Sequence, residues 1–330
     1  MVAVALFIPI LGGGGCGRSR FGASTGSQIR LDGSSTAYPI VSALADDFSR
    51  SRPGVDLTVN KSGTGSGVQK FERGELDIAA ASRPISPAED DALRRAGVQF
   101  IEVPFAYDGV SVIVSLKNRF AQSMTLAELR RAWQVGSAVH YWSDIRPGWP
   151  REKIDFYGPT DNHGTFDYFS DAMTSRGGAM RTDIEMNQEY NAIVQAVADD
   201  PHGIGYVGLS YYADNRDKVR AVAIDCGQGP VLPSRDTVSN GTYRELSRPL
   251  FLYVSKKAMD ARPVVREFVE FALSSQGAND VAEAHYVPLP VQTLDVVRLH
   301  VKQERTGTLF DREPPTISVA EVTRHETAGR

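Results

Sequence analysis

Three short runs of Ser, Thr and Gly restrict this chain more than any other feature of its sequence. They are Gly33-Ser34-Ser35-Thr36, Ser62-Gly63-Thr64-Gly65-Ser66-Gly67 and Thr160-Asp161-Asn162-His163-Gly164-Thr165. Each reads as a loop that leads into a helix, where unpaired backbone N–H groups and the helix dipole favour an anion. One such run would be ordinary capping chemistry. Three of them point to a single oxyanion held by several loops.

The surrounding sequence is an alternation of short strands and helices, an α/β pattern. Ile29–Leu31, Asp56–Val59, Leu76–Ala81 and Val98–Val103 read as strands. Between them lie a helix from Pro39 through Phe48, a short one through Phe71 and Arg73, and Pro87–Ala96. Residues 28–104 thus form β-α-β-α-β-α-β, a mostly parallel layered unit. After Tyr107-Asp108-Gly109 and the apolar run Val110–Leu116, a second unit spans roughly 107–248. Its helices are Thr125–Trp133, Thr165–Met173 and Asn187–Ala198, and its strands Ile154–Tyr157, Gly203–Val207 and Val219–Ile224. The strand Phe251–Val254 and helix Pro263–Leu273 follow once that unit has closed. The economical course returns the chain to the first unit. Lobe one is then discontinuous, 28–106 plus 249–310, lobe two is 107–248, and a ligand cleft lies between them.

At 330 residues and 42% hydrophobic, the chain can bury two cores, and its net charge of −4 argues against nucleic acid as a partner. Val2–Leu11 is apolar but too short to span a bilayer, and is followed by Gly12-Gly13-Gly14-Gly15-Cys16. Residues 1–27 therefore read as a signal or lipoprotein leader with a linker, and Cys16 as a lipidation site. The residues from 311 to 330 read as a mobile tail. Cys226 reads as a lone packed thiol. No Cys or His spacing suits a metal, and no cofactor is implied.

The loops exclude nucleotide chemistry. Gly63–Lys70 has the spacing of neither a P-loop nor a GxGxxG turn, and no GxSxG elbow is present. Ser82-Arg83-Pro84 ends the third strand, where open α/β sheets place ligand contacts, and Arg83 could give a bidentate contact to an oxyanion. A salt bridge is its alternative role, as capping is for Ser35, Thr36, Thr64 and Ser66.

The ordered set of motifs resembles the phosphate-binding subunit (PstS) of phosphate ABC transporters. It comprises Asp32–Ile40, Ser62–Gly67, Gly74–Ile85, Tyr107-Asp108-Gly109, Trp142–Ile145, Gly203–Tyr206 and Tyr286–Pro290, and spans about 28–310. The resemblance implies a type II periplasmic binding protein with two lobes. Each lobe would be a mixed, mostly parallel sheet flanked by helices. Its ligand would be inorganic phosphate and its partners the permease subunits, with attachment to the membrane if Cys16 is lipidated. It further implies that Ser35, Thr36 and the Ala37 backbone donate from the first loop, and Thr64, Gly65 and Ser66 from the second. Arg83 would pair with phosphate, and Gly164 and Thr165 would match the Gly-Thr of the family's Ser-Gly-Thr. His163 stands in place of that Ser and is expected to replace its donor.

Selection against sulfate calls for a carboxylate that accepts the phosphate proton. One branch of the family carries an Asp where this chain has Arg83, so Asp108 becomes the candidate, with capping of the lobe crossover as its alternative role. A receptor, a phosphatase-like enzyme acting on phosphate esters, and a receptor for sulfate, molybdate or a phosphonate all remain compatible with these loops.

Overall fold

The computed structural model describes residues 27–161, 163–174 and 178–308. Cys16, Asn162 and the tail from 311 lie outside them. The first lobe opens with β1 (Gln28–Gly33), α1 (Tyr38–Ser51), β2 (Asp56–Val59), α2 (Thr64–Glu72), β3 (Ile78–Ala81), α3 (Pro87–Arg95) and β4 (Phe100–Ser115). The second carries β5 (Ser123–Thr125), α4 (Leu126–Trp133), α5 (Trp142–Ile145), β6 (Asp155–Pro159), α6 (Gly164–Met173), β7 (Ile184–Asn187) and α7 (Tyr190–Asp199). It continues with β8 (Gly203–Gly208), α8 (Leu209–Asp214), β9 (Val219–Ala221), β10 (Ala223–Asp225), β11 (Pro230–Val231) and α9 (Arg235–Ser239). The chain returns on β12 (Ser247–Ser255) and ends with α10 (Lys256–Ala261), α11 (Pro263–Ala272), α12 (Ser275–Glu283), β13 (Val287–Pro288) and α13 (Val291–Lys302).

The strands join as β2-β1-β3-β12-β4-β8-β6-β7, with β13 and β9 added to β4. The mixture matches the sequence pattern. β1, β2 and β3 are parallel because helices return the chain each time, and so are β6, β7 and β8. β12 is antiparallel to both β3 and β4. Two sequence expectations need correcting. Val98–Val103 and Val110–Leu116 are parts of one strand, β4, whose sixteen residues are all buried. It runs unbroken through residues 106 and 107, where the sequence suggested that one lobe ends. The expected strand Val219–Ile224 is two: β9 pairs with β4, and β10 joins β5 and β11 in a small separate sheet. Val222 between them donates to the Val112 carbonyl, which turns the chain from one sheet to the other.

The helices follow their apolar periodicity. In α1, Ile40, Val41, Leu44, Ala45 and Phe48 form the buried face, with Pro39 in the first turn, where its missing N–H costs nothing. Capping boxes start α3 (Ser86 with Glu89) and α4 (Thr125 with Glu128). Cys226 is exposed rather than packed. No helix among the described residues is long and apolar enough to cross a membrane.

Candidate functional site

The first two loops meet at the C-terminal end of β1, organised by a carboxylate that the sequence reading did not single out. Asp32 is buried, and its Oδ1 accepts from the N–H groups of Gly33 (2.7 Å) and Ser62 (2.9 Å), while Oδ2 holds the Lys70 ammonium at 2.5 Å. Gly33 has φ +145° and packs so closely on the Ala80 carbonyl that no side chain fits, and a Cβ on Gly67 would lie 2.6 Å from its Cα. The glycines therefore let α2 start directly against the first loop. Burial works against the Asp32 carboxylate, but Lys70, Ser62 and the Gly33 N–H outweigh it and hold its pKa below the ordinary 3.8. A depressed folded-state pKa adds stability that is present above the unfolded value and lost as pH falls through the folded one. Unfolding followed from pH 6 to pH 2 should therefore show an acid limb that begins near pH 4, and Asp32→Asn should flatten it.

Thr64, Gly65 and Ser66 form the first turn of α2 behind Gly63, whose φ is +91°. First-turn N–H groups have no partner within a helix. The Thr64 hydroxyl accepts from the Ser82 N–H at 3.2 Å, which ties the second loop to the turn after β3. Ser35, Thr36, Thr64, Gly65 and Arg83 line one cleft. Ser66 is exposed and lies off that lining, and the Ala37 N–H is taken by Ser34 Oγ at 3.3 Å. Arg83 reaches the cleft already paired. Its two terminal nitrogens donate to the Glu89 carboxylate at 2.7 and 2.9 Å, the same carboxylate that closes the α3 capping box.

Across the cleft, α6 points its N-terminus at the first loop. Gly164 touches Thr36 so closely that a Cβ would lie 2.5 Å from the Thr36 Cα, and Thr36 Oγ1 is 3.4 Å from the Gly164 carbonyl. The His163 ring is turned aside. Its Nε2 lies 3.1 Å from the Gln188 carbonyl, it packs against Tyr190, and it does not line the cleft. Thr165 is buried, with its hydroxyl 2.6 Å from that of Tyr190. The α6 side chain that faces the first loop is Asp167, whose Oδ2 accepts from Ser35 Oγ at 3.1 Å. Burial lifts its pKa, Ser35 and Arg248 oppose the rise, and Asp171 and Asp161 add to it.

The most buried cation on the cleft lining is Arg248, which the sequence reading missed. Only 9% exposed, it donates from Nη2 to Thr36 Oγ1 at 2.9 Å and to Asp108 Oδ2 at 3.4 Å, and its guanidinium lies 3.9 Å from the Tyr168 ring centroid. Its Nε has no partner among the described residues. Asp108 is buried behind it and off the cleft lining, so it serves as a counter-ion to Arg248 rather than as a cleft wall. Burial raises the Asp108 pKa against the pull of Arg248 and the Gly109 N–H. A sequence signal existed: Ser247-Arg248-Pro249 repeats Ser82-Arg83-Pro84. β3 and β12 are antiparallel, with Ala81 opposite Phe251, so the end of one and the start of the other bring both tripeptides to one edge.

The cleft has a volume of about 1070 Å³. Among the described residues, no group of three or more His, Cys, Asp or Glu could hold a metal ion. Its chemistry is that of an anion receptor: hydroxyls and helix-start amides from both lobes converge around a nine-tenths-buried guanidinium.

Residues 20–276 match the family described as the PBP superfamily domain. The protein SphX of Synechocystis sp. is 38% identical over 291 residues, covering 88% of this chain and 86% of its own length. The phosphate-binding protein PstS of Staphylococcus aureus is 36% identical, covering 85% of each. Among solved structures, that of a possible phosphate binding protein from Planctomyces limnophilus superposes with a TM-score of 0.80 at 38% identity, covering 85% of this chain and 99% of its own.

Proposed function

The chain belongs to the PstS phosphate-binding proteins of the PBP superfamily, and from that premise we propose that it captures inorganic phosphate outside the cytoplasm and delivers it to the permease of an ABC transporter. The observation that carries this reading is Arg248. A guanidinium nine-tenths buried on the wall of a cleft that the first two loops also line suits a desolvated tetrahedral anion.

In this reading Ser35 and Thr36 give hydroxyl donors, and the first turn of α2 at Thr64, Gly65 and Ser66 gives backbone donors. The α6 N-terminus at Gly164 and Thr165 faces the anion from the other lobe. Arg83 adds a second cation, moderated by Glu89. His163 contributes the start of α6 rather than a ring donor. Asp108 orients Arg248. The acceptor of the phosphate proton is Asp167, the carboxylate on the cleft wall nearest the first loop. The His163 ring lies against the Gln188 carbonyl rather than beside the Ser35 hydroxyl, which weighs against a Ser–His pair. Lipidation of Cys16 would anchor the receptor at the membrane surface.

Isothermal titration of the full chain with phosphate, with sulfate as competitor, tests the proposal, and an absence of saturable phosphate binding would end it. Asp167→Asn is expected to let sulfate compete about tenfold better, because the amide no longer repels a fully ionised anion. Unaltered competition by sulfate would remove Asp167 from the role.

A further inference from the structure

Tyr286 joins parts of the molecule that the anion loops by themselves leave unconnected. It follows a Schellman turn at the end of α12. His285 takes φ +65°, its N–H donates to the Ala282 carbonyl at 3.1 Å, and the Tyr286 N–H donates to the Val281 carbonyl at 3.0 Å. The next two residues enter β13, where Val287 pairs with Tyr107 and Pro288 with Ala106 on β4, the strand that continues into the second lobe. From α8 of that lobe, Ser210 Oγ donates to the Tyr286 carbonyl at 3.1 Å. The Tyr286 hydroxyl crosses to the first anion loop and donates to the Thr36 carbonyl at 2.7 Å. Burial holds its pKa well above the usual tyrosine range, so the hydroxyl stays a donor.

The bond to Thr36 falls where it can set the loop. A peptide unit is planar, and in the trans form its C=O and N–H point opposite ways. The Thr36–Ala37 unit is held at both ends, the carbonyl by Tyr286 and the N–H by Ser34 Oγ at 3.3 Å. Its plane cannot turn without losing one of them. On the same residue, Thr36 Oγ1 accepts from Arg248 Nη2 at 2.9 Å. A hydroxyl carries one proton, and with Arg248 on the acceptor side that proton is left to donate. The Gly164 carbonyl lies 3.4 Å away, long for such a bond. Thr36 lines the cleft, so an oxyanion there offers the better acceptor.

We propose that Tyr286 is a positioning residue for the anion. It locks the Thr36–Ala37 peptide to the end of α12, to β4 and to α8, so that the Thr36 hydroxyl is presented as a donor in step with the position of the second lobe. The proposal rests on the phosphate reading for the identity of the ligand. Ser210 and Tyr286 both lie off the cleft lining. The route from Ser210 to the anion therefore runs through the Tyr286 backbone and hydroxyl to Thr36.

The test measures phosphate affinity and the release of labelled phosphate on the full chain, for the wild type, Tyr286→Phe, Ser210→Ala and the double variant. Phenylalanine keeps the ring and removes the bond to Thr36, and phosphate affinity is expected to fall about fivefold to tenfold. The loss should appear as faster release, with association within about twofold of the wild type. Ser210→Ala should weaken binding about threefold on its own and add little to Tyr286→Phe, because the two act along one route. Melting curves check that the variants are folded. Wild-type affinity in folded Tyr286→Phe, wild-type affinity in Ser210→Ala, or strictly additive losses in the double variant each overturn the proposal. Phosphate binding by the wild type with any of these results fails this inference alone, whereas no phosphate binding by the wild type fails the phosphate reading and this inference with it.

Discussion

Arg248→Ala is expected to lower phosphate affinity at least 100-fold, the largest single loss in the cleft. Charge-assisted hydrogen bonds from a buried guanidinium are short and strong, and truncating one partner of such a pair costs about 2–5 kcal/mol. The upper half of that range exceeds the roughly 2.7 kcal/mol that corresponds to 100-fold. The same change strands Asp108, which is 3% exposed and already has its pKa raised by burial. The alanine variant should therefore also melt earlier, because an uncompensated buried carboxylate destabilises the fold. Arg248→Lys separates the two effects. An ammonium keeps a cation beside Asp108 but loses the planar fork and the stacking on Tyr168. Its melting temperature should lie near that of the wild type while phosphate binding stays at least tenfold weaker. Calorimetric titration and thermal unfolding measured on both variants give the answer. Near-native affinity in Arg248→Lys would mean that charge alone, and not the fork, holds the ligand.

Gly164→Ala is expected to move stability and affinity in opposite directions. Gly164 is the first residue of α6, and its backbone conformation is one any residue adopts, so alanine should favour the helix by up to about 1 kcal/mol. Its new methyl would meet the Thr36 Cα at 2.5 Å, against the roughly 3.5–4.0 Å that carbon atoms prefer. The lobes would have to part by about 1 Å at the point where they grip the anion. Overpacking of this kind costs about 2 kcal/mol, which would appear as roughly 30-fold weaker phosphate binding. The unliganded protein should melt at the same temperature or slightly higher. A loss of both stability and affinity would place the damage inside the second lobe instead.

The two loops of the first lobe were legible because their chemistry is local. A Ser, Thr and Gly run between a strand and an amphipathic helix can do little besides cap or bind, and Gly33 and Gly67 mark where backbones come together. Arg248 was not legible for the opposite reason. It stands 165 residues beyond Arg83, in a stretch that read as the end of the second unit. The antiparallel pairing of β12 with β3 and with β4, where Arg248 faces Asp108, carries it to the first loop. Its Ser-Arg-Pro repeat was the available clue, and a repeat across separate lobes has meaning only once strand order is known. Asp167 was masked by its normality, since an acidic residue in the first turn of a helix already has a role with the dipole. With His163, the residue was conspicuous but its direction was not. Which way a ring turns depends on Gln188 and Tyr190, which enter from other elements.

The pairing of β4 with β12 has a mechanical consequence. Both strands pass between the lobes, joined from Ser247 opposite Gly109 to Ser255 opposite Phe100, with the register slipping once between Leu250 and Phe251. A two-strand ribbon can flex and coil while its rungs stay intact, and an irregular rung is its softest point. The hinge is therefore a leaf spring with one thinned section beside Pro104 and Ala106. β13 also pairs with β4 at Tyr107 and Ala106, beside the slip, so a bend at that rung carries a third strand with it. Across the gap the lobes meet through few side-chain groups, Ser35 on Asp167 and Thr36 on the Gly164 carbonyl among them. A ligand weighing only a handful of atoms can then decide the position of a whole lobe.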